Sequence, residues 1–239
     1  MAGNRTLKTL VHAAGRRYQS VVLKREYDSR AFSRYNERPM EFAFVFRMIG
    51  RCAPKTILDV GTGTTALPAL MANCGPEVTA IDNIRDYWPE GMTNRHWHVL
   101  DADICAPQLS GQFDMVTCIS VLEHIKRYDV AMQNMMALLR PQGYLVLCGP
   151  YTDGFHVDDC YRQPGAAEAS RANPYICNSY SAEDLARWLG FGGELLEVEY
   201  WRGFSGKHWA LGERIAPPEP ATKATGNHAC LLIRKGWKL

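Results

Sequence analysis

Apolar positions along the chain alternate between short continuous runs and longer stripes spaced three and four residues apart. TILDV (56–60) is a β-branched run ended by glycine, VTAID (78–82) is a second, and HWHVLDADI (96–104) contains a third. DMVTCI (114–119) and the fully apolar GYLVLCGP (143–150) predict a fourth and fifth strand. ELLEVEYW (194–201) alternates as a sixth strand, and HACLLIRKG (228–236) reads as a seventh. Between these runs, ALPALMANC (66–74) predicts a helix with Pro68 tolerated in its first turn. YDVAMQNMMALLR (128–140) has helical spacing, and Ser181 followed by Glu183 and Asp184 predicts the capped start of another helix. EFAFVFRMI (41–49) predicts a further helix, with Pro39 in its first turn and Gly50 as its stop.

Strands separated by helices require right-handed crossovers, which build a doubly wound α/β sheet. The expected sheet has seven strands, mostly parallel. No helix separates the last two, which predicts an antiparallel edge pair. Residues 1–50 are expected to form an N-terminal helical cap, and 51–239 the main domain. Two connections, about 150–180 and 201–227, exceed the usual loop length and are candidate substrate-covering segments. The second contains Pro217, Pro218 and Pro220.

Composition adds exclusions. With 239 residues, 46% hydrophobic and 22% charged, the chain is neither disordered, collagen-like nor a disulfide-stapled miniprotein. No apolar run approaches the ~18 residues of a membrane-spanning helix. The net charge of +2 is too small to argue for nucleic acid. Residues 1–30 carry seven Lys or Arg against two acids, which fits a solvated helix or a basic arm for an anionic partner. No apolar block follows these basic residues, so no secretory signal is expected. Eight cysteines include no C-x-x-C pair, and Cys118, Cys148 and Cys230 fall in apolar runs. Free thiols in a reducing cytoplasm are the expectation.

The strongest local signal is the strand-to-helix turn Asp59-Val60-Gly61-Thr62-Gly63-Thr64-Thr65-Ala66. Gly61 and Gly63 permit positive φ and close approach of a ligand. The G-x-G-x-x-A spacing by itself also fits a dinucleotide fingerprint. Three carboxylates decide between ligands. Asp59 before the glycines disfavours a pyrophosphate and suits a cationic amine. Asp82, ending the second strand, is placed for ribose hydroxyls, and Asp103, at the end of the third, for an exocyclic amine such as that of adenine. An amine, a ribose and an adenine without phosphate describe S-adenosylmethionine.

The series DVGTG (59–63), AIDN (80–83), DADI (101–104), FDMVTCISVLEHI (113–125) and LLRPQGYLVLCGP (138–150) resembles the class I S-adenosylmethionine-dependent methyltransferases of small-molecule type, over about residues 40–200. The resemblance implies a Rossmann-like methyltransferase fold and S-adenosylmethionine as cofactor. It implies that Asp59 and the Gly61–Gly63 backbone hold the methionine end, that Asp82 binds the ribose with Asn83 beside it, and that Asp103 and Ile104 flank the adenine. Ser120 and Val121 would line the site below the sulfonium. The family does not necessarily use a metal.

His124, after the fourth strand, is the first candidate general base, and His156 the second. Orientation of the loop is the competing role for Glu123-His124. His156, Asp158 and Asp159 could instead hold a divalent ion, although adjacent loop acids are more often solvated. Tyr151 and Tyr161 are candidates to line a sugar or aromatic acceptor. Trp201, Phe204, His208 and Trp209 could add a cover or simply pack. Tyr35, Arg38 and Glu41 could close over the carboxylate end of the cofactor or anchor a helix.

The leading expectation is methyl transfer to a small-molecule acceptor, at an oxygen of a sugar or secondary metabolite. An NAD-dependent oxidoreductase and a non-catalytic module of the same fold are the alternatives. A Tyr-x-x-x-Lys after the fourth strand is missing for the former, and retention of all three acids weighs against the latter. No N/D-P-P-Y signature follows the fourth strand, which argues against a nucleic-acid acceptor. The sequence leaves homo-oligomer formation open.

Overall fold

Thr56–Val60 (β1) shows why the chain layers as it does: Ile57 is buried toward one face, Leu58 and Val60 toward the other. The computed structural model describes residues 3–28, 36–106, 109 and 111–237. It divides into two compact units, Met1–Tyr35 and Asn36–Leu239. The first holds the helix Gly3–Asp28 (α1). The second opens with Arg38–Cys52 (α2). After β1 follow Leu67–Ala72 (α3), Glu77–Asp82 (β2), Ile84–Tyr87 (α4), Val99–Asp101 (β3) and Phe113–Ile119 (β4). Then come Tyr128–Leu138 (α5), Leu139–Thr152 (β5), Glu168–Arg171 (α6), Tyr180–Ser181 (β6) and Ala182–Leu189 (α7). Gly193–Phe204 (β7), Arg214–Ala221 (β8) and His228–Lys235 (β9) complete the chain. None of the described helices is long and apolar enough to cross a membrane.

The sheet order is β3-β2-β1-β4-β5-β9-β7-β8, with β6 paired to β5. Strands β1 to β5 run parallel, and β9 and β7 form the antiparallel pair that the missing helix predicts. One face packs Phe44, Val45 and Met48 of α2 and Met71 of α3 against Ile57, Met115 and Val146. The other packs Met132, Met135 and Met136 of α5 and Trp188 of α7 against Leu58, Val116 and Leu145.

Three expectations are corrected. The described residues form nine strands, not seven. The proline-rich part of 201–227 is strand β8, which pairs only with β7 at the sheet edge, where proline's missing N–H is tolerated. The other addition is the two-residue β6. Helix α2 also runs through Gly50 to Cys52 and stops at Ala53, whose φ of 45° ends the helix while its N–H bonds Ile49 O.

A buried ionic cluster ties α2 to the sheet. The Glu41 carboxylate has no solvent exposure. It accepts from Arg38 Nη1 (2.7 Å), Ser120 Oγ (2.5 Å) and His228 Nε2 (3.1 Å). Burial pushes the Glu41 carboxyl up, but the His228 hydrogen bond and the Arg38 charge outweigh it and bring it to about 2. Burial likewise opposes the His228 imidazolium, and the neighbouring Cys230 together with the hydrogen bond to Glu41 raises it to about 10. A lowered acid stabilises the fold above its ordinary value, and that contribution fades as pH falls from 4.5 toward 2. A raised base stabilises below its ordinary value, and that contribution fades as pH rises from 6.5 toward 10.

The cluster therefore supports the fold fully between about pH 4.5 and 6.5. Urea unfolding of the wild type is expected to show stability declining above pH 6.5. His228→Gln should cost roughly 3–5 kcal/mol at pH 6, as for a buried pair left with one partner. It should also flatten the alkaline decline, and an unchanged slope would refute the pairing. At the start of α7, Ser181 Oγ accepts from Asp184 N while Asp184 Oδ2 accepts from Ser181 N, a reciprocal capping box. Ser181→Ala is expected to lower stability by about 1 kcal/mol in the same urea assay.

Candidate functional site

A cleft of about 1240 Å³ opens at the carboxyl ends of the strands on either side of β1, where the strand order reverses. That exceeds the roughly 300–1,000 Å³ of a pocket for one small ligand. Asp59, Gly61, Gly63, Asp82, Asn83, Asp103, Ile104, Ser120, Val121 and His124 all line it.

The β1–β4 register places Thr117 beside Asp59. Thr117 Oγ1 donates to Asp59 Oδ1 and Thr62 Oγ1 to Oδ2, each at 2.6 Å. Asp59 is 2% exposed. Burial raises its carboxyl to about 6 against the pull of these two hydroxyls. Gly61 has φ of 71°, and a Cβ there would collide with both methyls of Val121. Backbone bonds from Gly61 N and Thr62 N to Ile81 O hold the turn against β2.

Asp82 ends β2 and accepts from Gly63 N (2.7 Å) and Trp88 Nε1 (3.0 Å). Burial pushes its carboxyl up, and these two donors oppose the shift. Asn83 caps α4, with its Oδ1 accepting from Asp86 N at 3.3 Å. Asp103 Oδ1 accepts from Cys105 N (2.8 Å), which shapes the turn carrying the buried Ile104. Ser120, with φ of 51°, follows β4 in a conformation that side chains rarely adopt, and Glu41 holds its hydroxyl. Arg38 lines the same cleft, so α2 supplies both a cation to the site and the buried acid that orients it.

His124 lies in the 3-10 turn Leu122–His124. Its Nδ1 is 2.6 Å from Ile176 O, so that nitrogen carries the proton and donates to the carbonyl. Nε2 lies 3.9 Å from Glu123 Oε1. Tyr175 packs against the imidazole at 5.6 Å and stacks on Tyr87 at 6.1 Å. The hydroxyl of Tyr87 donates to His124 O and that of Tyr175 to Tyr87 O. Three segments far apart in sequence thus make one aromatic wall.

His156 is not among the residues lining the cleft. It bridges Asp184 Oδ2 (2.9 Å) and Asp158 Oδ1 (3.2 Å), and the Asp184 hydrogen bond leads in raising its pKa. That geometry fastens segment 153–179 to the start of α7, and we assign His156 no catalytic role. No group of three or more His, Cys, Asp or Glu able to hold a metal occurs among the described residues.

The remaining aromatic candidates pack elsewhere. Tyr151 is buried against Tyr200, and Trp201 packs on the α2 face of the sheet. Phe204 and Trp209 meet edge to face at 5.0 Å in a small core with Val157, Cys160 and Cys177, and Arg214 lies over both rings. Tyr161 packs on that core, 6.4 Å from His124, and His208 lies 6.5 Å from Phe155. Tyr35 lies outside the described residues. Sequence reasoning missed Thr117, Trp88, Tyr87, Tyr175 and the approach of His228 to Glu41. Only Thr117 had a signal, its position on the strand beside Asp59.

A family profile described as a methyltransferase domain matches residues 27–192. Among curated proteins, the ubiquinone biosynthesis O-methyltransferase of Bordetella avium is 27% identical over 114 residues, covering 45% of this chain and 47% of that protein. The enzyme of the same name from Pseudomonas paraeruginosa is 33% identical over 102 residues, covering 40% and 44%. The matched stretch thus spans about half the length of these curated relatives, or less. Among solved structures, the 1,6-didemethyltoxoflavin-N1-methyltransferase of Burkholderia thailandensis, with bound 1,6-didemethyltoxoflavin and S-adenosylhomocysteine, aligns with a TM-score of 0.58 at 18% identity. It covers 94% of this chain and 90% of its own. The N-methyltransferase NodS of Bradyrhizobium japonicum, in complex with S-adenosylhomocysteine, aligns with a TM-score of 0.52 at 16% identity, covering 83% and 86%. At these identities the solved structures establish the fold. The chain belongs to the methyltransferase-domain family.

Proposed function

We propose that this chain transfers a methyl group from S-adenosylmethionine to an oxygen of a small-molecule acceptor. The observation that carries this reading is the convergence of Asp59, Asp82 and Asp103 with the glycine turn on one cleft. The residues present fit a phosphate-free nucleoside. Three carboxylates repel a pyrophosphate. In addition, the indole of Trp88 packs 3.6 Å from where a Gly63 Cβ would lie, the place a dinucleotide pyrophosphate needs. This disfavours an NAD-dependent oxidoreductase.

Bound there, S-adenosylmethionine would supply an activated methyl carbon on a sulfonium whose departure leaves a neutral thioether. Asp59 meets the ammonium of the methionine end, and the Arg38 fork suits its carboxylate. Asp82 takes the ribose hydroxyls with Asn83 beside it, while Asp103 and Ile104 flank the adenine. Ser120 and Val121 line the site beneath the sulfur. The wall of Tyr87, His124 and Tyr175 suits a flat ring or the apolar face of a sugar. His124 accepts the acceptor's hydroxyl proton at Nε2 while its Nδ1–H stays on Ile176 O. The acceptor oxygen bonds to the methyl carbon, and the electron pair of the broken carbon–sulfur bond stays on sulfur. The O-methyltransferase names of the curated relatives favour oxygen as the accepting atom.

Isothermal titration with S-adenosylhomocysteine tests the cofactor site: the wild type is expected to bind and Asp59→Ala to bind at least about tenfold more weakly, the scale of a lost charge-assisted contact. No heat from the wild type at millimolar ligand would sink the reading. Because free Asp59 sits at about 6 and must be ionised to meet an ammonium, affinity is expected to fall about tenfold per pH unit below pH 6. For the base, His124→Ala is expected to lower the methylation rate about 10²–10⁴-fold while S-adenosylhomocysteine affinity holds within about twofold. A parallel loss of affinity would instead give His124 a structural role.

A further inference from the structure

We infer that Trp88 is a positioning residue that sets recognition of the cofactor ribose; this rests on the reading of Asp82 as the ribose acceptor. Trp88 closes α4 six residues after Asp82 and turns its ring back over the glycine turn. Its Nε1–H donates to Asp82 Oδ1 at 3.0 Å, while Gly63 N–H donates to Oδ2 at 2.7 Å. One donor on each oxygen fixes the rotation of the carboxylate. Each oxygen keeps a lone pair, and these are the two acceptors a ribose diol needs.

The indole is itself held in place. Asn94 Nδ2 donates to the carbonyls of Gly63 and Thr65, both at 2.9 Å. Asn94 Oδ1 accepts from His96 N (2.8 Å) and Trp97 N (3.0 Å). Gly91 N–H closes the intervening turn on Trp88 O at 2.7 Å. Segment 88–97 is therefore strapped to the glycine turn through Asn94, and the ring of Trp88 lies 3.6 Å from where a Gly63 Cβ would stand. A side chain of this size at this place orients Asp82 toward a diol and excludes a phosphate from it.

The experiment compares wild type, Trp88→Phe and Trp88→His in the full chain. S-adenosylhomocysteine binding is followed by titration calorimetry and tryptophan emission, with adenosine and 2′-deoxyadenosine as competitors. The wild type is expected to prefer adenosine about tenfold, the scale of one hydrogen bond to a charged group. Trp88→Phe, which keeps a ring but loses the N–H, should bind S-adenosylhomocysteine about tenfold more weakly, with the adenosine preference reduced to about twofold or less. Its KM for S-adenosylmethionine should rise with kcat within about twofold. Trp88→His, which retains a ring N–H, should recover part of the preference. The emission change on binding should be missing from Trp88→Phe.

Equal weakening toward both nucleosides, with the preference intact, would make Trp88 a packing residue and overturn the inference, as would unchanged affinity. If neither Trp88 variant folds, Asn94→Ala releases the strap with the indole intact, and it must reduce the adenosine preference for the inference to stand. A wild type that binds S-adenosylhomocysteine without preferring adenosine overturns the ribose reading of Asp82, and one that binds neither overturns the cofactor reading.

Discussion

Everything at the site is arranged around a carboxylate held out of water at the tip of a central strand. Asp59 is placed there by β1, whose inner positions are apolar on both faces, so the strand is buried along its length. Dry burial alone would leave the acid neutral, and hydroxyls from Thr62 and Thr117 keep ionisation within reach near neutrality. Such a group favours a cation that brings its own hydrogen bonds and disfavours any anion. The positive φ of Gly61, its lack of a Cβ where the Val121 methyls pack and the backbone bonds to Ile81 O serve the same end. They let the chain leave the sheet sharply without covering the carboxylate.

A second buried acid carries the geometry outward. Glu41 joins α2, the end of β4 and β9 through Arg38, Ser120 and His228, groups separated by up to 187 positions in sequence. Buried ion pairs seldom add much net stability over apolar packing. Their value here is orientation: Arg38 is aimed into the cleft, and Ser120 is held in a backbone conformation that costs energy to maintain.

The strand–helix alternation and the ligand-facing glycines were legible because they follow from local rules: period two, period 3.6 and the need for positive φ. Asp59, Asp82 and Asp103 could be grouped because each lies at or just past the end of a strand, and parallel strands bring their ends to one edge. What the sequence hid are contacts with no local signature. Trp88 reaches Asp82 only because α4 is a single turn, and Tyr175 reaches His124 from 51 positions away. The proline cluster at 217–220 reads as a loop unless one knows that its strand lies at the edge. His156 stands apart from the cleft: a histidine beside two acids looks chemical in sequence, and in the fold its ring bonds Asp184 and Asp158.

The first long connection lends Pro174, Tyr175 and Ile176 to the cleft, and the second packs against it from behind. Val157, Cys160 and Cys177 from one meet Phe204 and Trp209 from the other, and Ala167 N–H bonds Ala210 O across the junction. Arg214, lying over Phe204 and Trp209, pairs with Glu37, one residue before Arg38. The wall that carries Tyr175 and Ile176 is thereby braced against the helix that carries Arg38. Fixing a nucleophile against an already activated methyl can be worth about 7–11 kcal/mol, whereas a base worth 10²–10⁴-fold supplies about 3–5 kcal/mol. On the reading proposed for this chain, the larger share of rate acceleration therefore rests on the bracing rather than on His124.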